Sequence, residues 1–251
     1  LVEMRRHGLT PNVISYNAAI SACEKGGKWE RALELLEEMR MRGLTPNVIS
    51  YSAAISACEK GGKWERALEL LEEMRRHGIT PNVISYNAAI TACEKGGQWE
   101  RALELLEEMR GHGLAPSVIS YSAAISASEK AGKWEHALEL LEEMRKCGLT
   151  PDVVCYSAAI SACEKGGKWE RALELLEKMT RRGVMADVIS FSATILACCR
   201  AGQRGAASEL LRKAEAAGID LGQSTYHALW HAHGLAGDAA AAVEVRVEMD
   251  A

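Results

Sequence analysis

Apolar and polar residues alternate along this chain with the period of an α-helix, in two runs that recur together every thirty-five residues. In the first run the apolar residues are spaced i, i+3, i+4 and i+7, which places them on one side of a helix. They are Tyr16, Ala19, Ile20 and Cys23. A Gly-Gly pair at 26–27 ends this run, so the pattern predicts a helix followed by a tight turn.

The second run predicts another helix, which returns antiparallel to the first. Its predicted core stripe is Trp29, Ala32, Leu33, Leu36 and Met39. Strong helix formers fill the places between them, and a Gly and a Pro close the unit. Because a single helix pair cannot bury both stripes, units must stack. The pattern therefore predicts an all-α protein, an α-solenoid of stacked helix-turn-helix repeats, and not a globular domain.

The repeats divide the chain into three parts. Residues 1–12 match the end of a unit whose first helix is missing, residues 13–222 hold six full units, and residues 223–251 hold a degenerate, incomplete one. We expect the chain to be a segment of a longer protein. Towards its end the repeated Trp is replaced by Arg204 and Ala239, and the repeated Pro by Ala186 and Leu221, as is typical of terminal repeats.

Composition narrows the classes of function. The chain has 30 Lys and Arg against 34 Asp and Glu, a net charge of −4, so long-range attraction to a polyanion is weak and only a local basic surface could bind one. Most of the eight cysteines recur with the repeat, which predicts small, reduced, buried thiols. No apolar run is long enough for a membrane span, and no motif indicates a cofactor or a small-molecule substrate.

A polar stripe runs along the first helix of each unit, on a face turned away from its apolar stripe. In the first unit it contains Asn17, Ser21 and Lys25. Its cation recurs once per unit, as Lys25, Lys60, Lys95, Lys130, Lys165 and Arg200. Such a row suits a phosphate backbone. The alternative is a solvated helix end, where a cation meets the C-terminal dipole, and the adjacent Glu24 favours that alternative.

A second set of polar residues precedes the first helix of each unit. It comprises Asn12, Asn47, Asn82, Ser117, Asp152 and Asp187. These residue types are good helix caps, so capping explains the set. Capping does not explain why the residue after the repeated aromatic also alternates between Asn and Ser, because that residue lies inside the helix.

The thirty-five-residue unit, the opening VISYN, the second helix ALELLEEM and the close GLTPN resemble pentatricopeptide repeats over nearly the whole chain. The resemblance implies a right-handed superhelix that binds single-stranded RNA, one base per repeat. It also implies a role in RNA processing, stability, editing or translation in a mitochondrion or plastid. Other proteins are a further class of partner, and the resemblance implies no membrane.

In that family a base is read by the fifth residue of a unit together with its last residue. Carried over, the pairs are Asn17 with Asn47, Ser52 with Asn82, Asn87 with Ser117, Ser122 with Asp152, and Ser157 with Asp187. The resemblance implies pyrimidine, A, C, G and G for them, from 5′ to 3′. It makes the second residue an apolar wedge between bases, namely Ile14, Ile49, Ile84, Ile119, Val154 and Ile189. Ordinary packing between repeats is the alternative for these residues.

Three other functions are alternatives for a helical array. A peptide-binding tetratricopeptide array shares the helix pair but has a thirty-four-residue period, and a purely architectural scaffold is also open. An enzyme is disfavoured because no nucleophile elbow, phosphate-binding loop or deaminase motif of H-x-E with C-x-x-C occurs. His227, His231 and His233 fix too few ligands on one helical face for a zinc site, so no metal is predicted.

Overall fold

The computed structural model describes residues 1–234, without the side chains of residues 2 and 3. Residues 235–251, which contain Ala239 and the end of the predicted last unit, lie outside the described residues. The described part is all-α. Its helices are α1 (Val2–Arg6), α2 (Val13–Lys25), α3 (Trp29–Met41), α4 (Val48–Lys60), α5 (Trp64–Arg76), α6 (Val83–Lys95), α7 (Trp99–Gly111), α8 (Val118–Lys130), α9 (Trp134–Lys146), α10 (Val153–Lys165), α11 (Trp169–Arg181), α12 (Val188–Arg200), α13 (Arg204–Ala216) and α14 (Gln223–Gly234).

The chain divides into two compact units, Leu1–Ala127 and Ser128–Ala251. In the first unit, α4 packs against its own second helix α5 and against the neighbouring first helices α2 and α6. In the second unit, α12 packs in the same way against α13, α10 and α14. Each unit is therefore a stack of helix-turn-helix repeats with the first helices in contact, and the predicted fold class is confirmed.

Local sequence explains where the helices begin and end. Asn47 caps α4: its side chain accepts from the backbone of Ser50, and the Ser50 hydroxyl accepts from the backbone N–H of Asn47 at 3.1 Å. At the other end, Gly62 has φ of +66°, a conformation that only glycine adopts readily. Gly62 N and Lys63 N return hydrogen bonds to the last turn of α4, which closes the helix with a Schellman motif.

The core of each unit is centred on the first helices. The predicted stripe of the second repeat, Tyr51, Ala54, Ile55 and Cys58, is at most 1% exposed. In the first repeat the corresponding Ala19 and Cys23 are half-buried, because fewer described residues precede and cover them. Inner first helices are thus buried on several sides, which is why their apolar residues extend beyond a single stripe.

Two predictions for the second helices are wrong. Leu35 is buried with 3% exposed and takes the core place predicted for Leu33, which is half-buried. The tryptophans are also half-buried. Trp29, Trp64 and Trp134 lie over the turn of the next repeat: a Cβ built on Gly61 would come 2.4 Å from Trp29 Cδ1. The two glycines of the turn therefore have different roles. Gly61 leaves space for the aromatic ring, and Gly62 adopts the left-handed conformation.

The eight cysteines are thiols, of which Cys147 is exposed. Burial raises the pKa of Cys58 to about 11 and those of Cys93 and Cys163 to about 12, because an apolar environment disfavours the thiolate. Within residues 1–234, no helix is both long and apolar enough to cross a membrane.

Candidate functional site

The two residues predicted to read the first base lie side by side. Asn17 Nδ2 donates a hydrogen bond of 3.2 Å to Asn47 Oδ1. Asn47 is exposed at the start of α4, whereas Asn17 is buried between two repeats with 8% exposed. The predicted polar stripe is therefore not an open face at Asn17. The exposed polar group of the pair belongs to the last residue of the repeat.

Three further predicted pairs are also within hydrogen-bonding distance. The distances are 3.4 Å between Ser52 Oγ and Asn82 Oδ1, 3.2 Å between Asn87 Nδ2 and Ser117 Oγ, and 3.0 Å between Ser157 Oγ and Asp187 Oδ1. Of the remaining pair, Ser122 belongs to the first compact unit. Asp152 belongs to the second, where it accepts a hydrogen bond of 3.0 Å from Cys155 N.

In the pairs that end in Asn or Asp, the last residue uses one oxygen for capping and leaves its other polar atom available. Asn47 Oδ1 accepts from Ile49 N at 3.0 Å and from Ser50 N at 3.1 Å. Asp187 Oδ1 accepts from Ser190 N at 2.8 Å. Among the described residues, nothing bonds to Asn47 Nδ2 or Asp187 Oδ2. The first is a hydrogen-bond donor and the second an acceptor, so the two pairs present different chemistry.

A third residue joins each of the four pairs that lie within one compact unit, and it was not among the predicted site residues. Ser50 Oγ lies 2.6 Å from Asn17 Oδ1 and 3.2 Å from Asn47 Oδ1. Serine recurs at this third place of the repeat, in Ser15, Ser50, Ser85, Ser120 and Ser190, with Cys155 once. That period was the available signal, but a serine so early in a helix looks like part of a capping box.

The predicted wedge residues form a series of exposed aliphatic side chains. Ile49 is 57% exposed and Ile84 is 60% exposed. The other four, Ile14, Ile119, Val154 and Ile189, are also exposed. Packing between repeats would bury them, so that alternative is wrong. An exposed large apolar residue therefore recurs beside each of these polar pairs.

Four of the predicted phosphate contacts, Lys60, Lys95, Lys165 and Arg200, are ion-paired within one unit. Lys60 Nζ lies 2.8 Å from Glu24 Oε1, and Lys95 pairs with Glu59 in the next repeat. In the second unit, Lys165 Nζ lies 2.6 Å from Glu129 Oε1 and Arg200 pairs with Glu164. Each of these four cations therefore meets the acid of the preceding repeat, which gives alternating charges there and not a purely positive row.

Sequence comparison assigns these repeats to a family. The model of the PPR repeat family matches residues 11–60 and 151–200. The model of the pentatricopeptide repeat domain matches residues 55–96, 69–128 and 104–166. Together the matches extend from residue 11 to residue 200. The chain belongs to the pentatricopeptide repeat family.

Solved structures of pentatricopeptide repeat proteins share this fold. The protein PPR10 from maize is 25% identical with a TM-score of 0.61, over 99% of this chain and 41% of that one. The PPR domain of Arabidopsis thaliana protein-only RNase P 1, in complex with tRNA, is 17% identical with a TM-score of 0.65, over 72% of this chain and 95% of that one. The chain thus spans about two fifths of the PPR10 length. No curated protein sequence matches it significantly.

Away from the reading pairs, a second polar network links successive pentatricopeptide repeats. Arg75 Nη2 donates to Tyr86 OH at 3.0 Å and pairs with Glu108. In the second unit, the position equivalent to Glu108 is occupied by Lys178. Arg145, which is equivalent to Arg75, pairs with Glu142, and so does Lys178.

One repeat later all three members of this network are replaced, by Thr180, Phe191 and Lys213. These three residues line an apolar pocket of about 430 Å³, which also contains Leu176 and Leu210. The pocket therefore lies where the polar network is found in other repeats.

The histidines of the last repeat do not converge. His233 Nε2 lies 2.9 Å from Ser208 Oγ, and the His227 ring lies 5.7 Å from that of Trp230. Within residues 1–234, no group of three His, Cys, Asp or Glu side chains is arranged to hold a metal ion.

Proposed function

We propose that this chain binds single-stranded RNA in a sequence-specific way, one base per repeat. The observation that carries the proposal is an exposed aliphatic side chain beside a hydrogen-bonded polar pair, repeated in successive units. Ile49, for example, follows Asn47 by two residues and donates its backbone N–H to that side chain. An aliphatic surface suits the face of a base, and the adjacent polar group suits its edge.

The available polar atoms fit the bases that the family pairing implies. Asp187 Oδ2 is an acceptor when ionised, and guanine presents two N–H donors on its Watson–Crick edge, so the pair with Ser157 suits G. Asn47 Nδ2 is a donor, and cytosine and uracil both carry the O2 acceptor, so the pair with Asn17 suits either pyrimidine. The expected site is pyrimidine-A-C-G-G from 5′ to 3′.

The ion-paired cations determine how RNA affinity depends on salt. A phosphate that approaches Lys60 or Lys95 competes with the carboxylate of Glu24 or Glu59 for the ammonium group. Affinity should then fall with salt by about 0.7 log units per tenfold increase for each cation engaged. The competing acids limit non-specific attraction, so that selection among sequences depends on the base-reading pairs.

Two relatives support this assignment. One is PPR10, solved in complex with an 18-nt psaJ RNA element, at 23% identity and a TM-score of 0.60 over 98% of this chain and 41% of that one. The other is the tRNA complex of the RNase P domain described above. A role in organellar RNA processing, stability, editing or translation, in a mitochondrion or plastid, is part of the proposal.

The test is fluorescence anisotropy with labelled oligonucleotides. The protein should bind a single strand containing pyrimidine-A-C-G-G at least about tenfold more tightly than a strand with the same bases in permuted order. It should bind a duplex of the cognate sequence weakly, because paired bases cannot reach the polar pairs. Equal binding to all three RNAs would overturn the proposal. Competition by a peptide pool but not by RNA would favour the peptide-binding alternative.

A further inference from the structure

We propose that the third residue of each repeat is a positioning residue that sets the base preference of the preceding repeat. This inference rests on the proposed function and deepens it. The residues concerned, Ser50, Ser85, Ser120 and Ser190, are each 0% exposed. A base outside the repeats cannot touch them, so any influence on recognition must pass through the reading pair.

The geometry around Ser50 shows how that influence arises. Its Oγ donates to Asn17 Oδ1 at 2.6 Å, and Asn17 Nδ2 in turn donates to Asn47 Oδ1 at 3.2 Å. The same hydroxyl lies 3.2 Å from Asn47 Oδ1. Both oxygens of the pair are thereby engaged inside the protein, and Asn47 Nδ2 remains as the donor at the surface.

The same arrangement recurs with different reading residues. Ser85 Oγ lies 2.8 Å from Ser52 Oγ and 3.0 Å from Asn82 Oδ1. Ser190 Oγ lies 2.9 Å from Ser157 Oγ and 2.6 Å from Asp187 Oδ1. In the third pair, Ser120 Oγ lies 2.5 Å from Asn87 Oδ1 and 3.2 Å from Ser117 Oγ. The hydroxyl thus contacts both members of every pair that lies within one compact unit.

The physical consequence is a fixed donor and acceptor pattern. The terminal torsion of an Asn side chain is broad and roughly two-fold, so its amide can present either oxygen or nitrogen unless a neighbour selects one. A hydroxyl that donates to Asn17 Oδ1 selects the orientation in which Nδ2 faces Asn47. Without it, Asn17 can adopt both polarities while the backbone N–H groups of Ile49 and Ser50 still hold Asn47 Oδ1, and discrimination between pyrimidine and purine weakens.

Capping alone does not account for this role. Ser15 forms the same capping box with Asn12, whose Oδ1 lies 3.1 Å from Ser15 Oγ. Among the described residues, the Ser15 hydroxyl bonds only to Asn12. Ser15 is therefore a matched control that shares the cap but lacks the complete pair. Cys155 shows that the buried third place also accepts a thiol, which is a weaker donor.

The experiment measures base preference in the whole chain. Wild type, Ser50→Ala, Ser50→Cys and Ser15→Ala are titrated against two oligonucleotides with uracil or adenine at the first base of the site. A second pair of oligonucleotides varies the base read by Ser157 and Asp187. Wild type and Ser15→Ala should prefer uracil by roughly tenfold. Both Ser50 variants should fall to about threefold or less at that base and keep their preference at the other.

Several results would contradict the inference. Undiminished preference in both Ser50 variants would show that the hydroxyl is only a cap, as would an equal loss in Ser15→Ala. Ser50→Cys keeps the test available if Ser50→Ala does not fold, since the fold already holds Cys155 at the equivalent place. A wild-type protein without any base preference would overturn the proposed function itself, and this inference with it.

Discussion

The same substitution, tyrosine to phenylalanine, should destabilise the protein at one position and not at an equivalent one. Tyr86 and Tyr156 are both 0% exposed and occupy the same place in their repeats. The Tyr86 hydroxyl accepts a hydrogen bond of 3.0 Å from Arg75. The Tyr156 hydroxyl is buried without a hydrogen-bond partner among the described residues, because Lys178 has replaced the acid and Arg145 pairs elsewhere.

The magnitudes follow from these environments. A hydrogen bond to a charged group contributes about 1.5–3 kcal/mol net. The Arg75 side chain is 29% exposed, so we expect the lower end, about 1.5 kcal/mol, for Tyr86→Phe. A buried hydroxyl without a partner costs about 1–3 kcal/mol. Tyr156→Phe should therefore be neutral or raise the free energy of unfolding by about 1 kcal/mol, a difference of roughly 2 kcal/mol between the variants.

The assay is urea denaturation followed by far-UV circular dichroism, with each variant compared with wild type. Both substitutions remove one oxygen and keep the ring, so packing changes are matched. Lys178→Glu provides a second control. It restores the acid found at 108 but removes the ion pair of Lys178 with Glu142, so its effect is compared between two backgrounds and should be more favourable with Tyr156 than with Tyr156→Phe. Equal destabilisation by the two substitutions, or a larger loss for Tyr156→Phe, would refute the reasoning.

Three further outcomes are expected. Trp64→Ala should lower the free energy of unfolding by about 2 kcal/mol in thermal or chemical denaturation. This is below the 3–5 kcal/mol typical of a buried aromatic, because the ring is half-buried. No loss of stability, or a loss above that range, would contradict its position. At pH 8, Cys147 should react with a thiol reagent while Cys93 stays protected, because burial raises the pKa of Cys93 to about 12. Comparable reaction rates of the two thiols in the folded protein would contradict the burial of Cys93. Glu59→Gln should strengthen binding to every single-stranded RNA, and Lys95→Ala should weaken it. Neither substitution should change base preference, and a changed preference would contradict a phosphate-binding role for Lys95.

Much of the fold could be predicted because the repeat presents the same physical problem many times. The helix pair follows from apolar spacing and from Gly-Gly turns, and stacking follows because one pair cannot bury both stripes. The position of Trp29 could not be predicted in this way. Its spacing fits a core stripe, but its ring lies over the turn of the following repeat, and a contact between repeats leaves no trace in the periodicity of a single helix.

The candidate site was predictable in its members but not in its connections. The alternation between Asn17 and Ser52 singles out the fifth residue, and the family resemblance supplies its partner. Neither indicates that Asn17 is buried or that Ser50 bonds to it across the repeats. A capping serine and a positioning serine have the same sequence pattern, so the difference depends on which side chain of the preceding repeat approaches the hydroxyl.

The most direct test of base-by-base reading is the preference of a single repeat after one substitution. Ser157→Asn keeps the charge and places at 157 a residue that the fold already accommodates, buried, at Asn17. In the family pairing, Ser with Asp implies G, and Asn with Asp implies U. The control is Ser192→Asn, which changes the same place of the next repeat, where the partner is Gly222 and no side chain completes a pair.

Wild type and both variants are titrated against oligonucleotides that differ only at the fifth base of the site. We predict that Ser157→Asn moves the preference at that base from G to U, by about 1–3 kcal/mol. The preferences at the other four bases should persist, because repeats contribute nearly independently. Ser192→Asn should leave the G preference in place. Retention of G by Ser157→Asn would contradict the claim that this chain reads RNA one base per repeat.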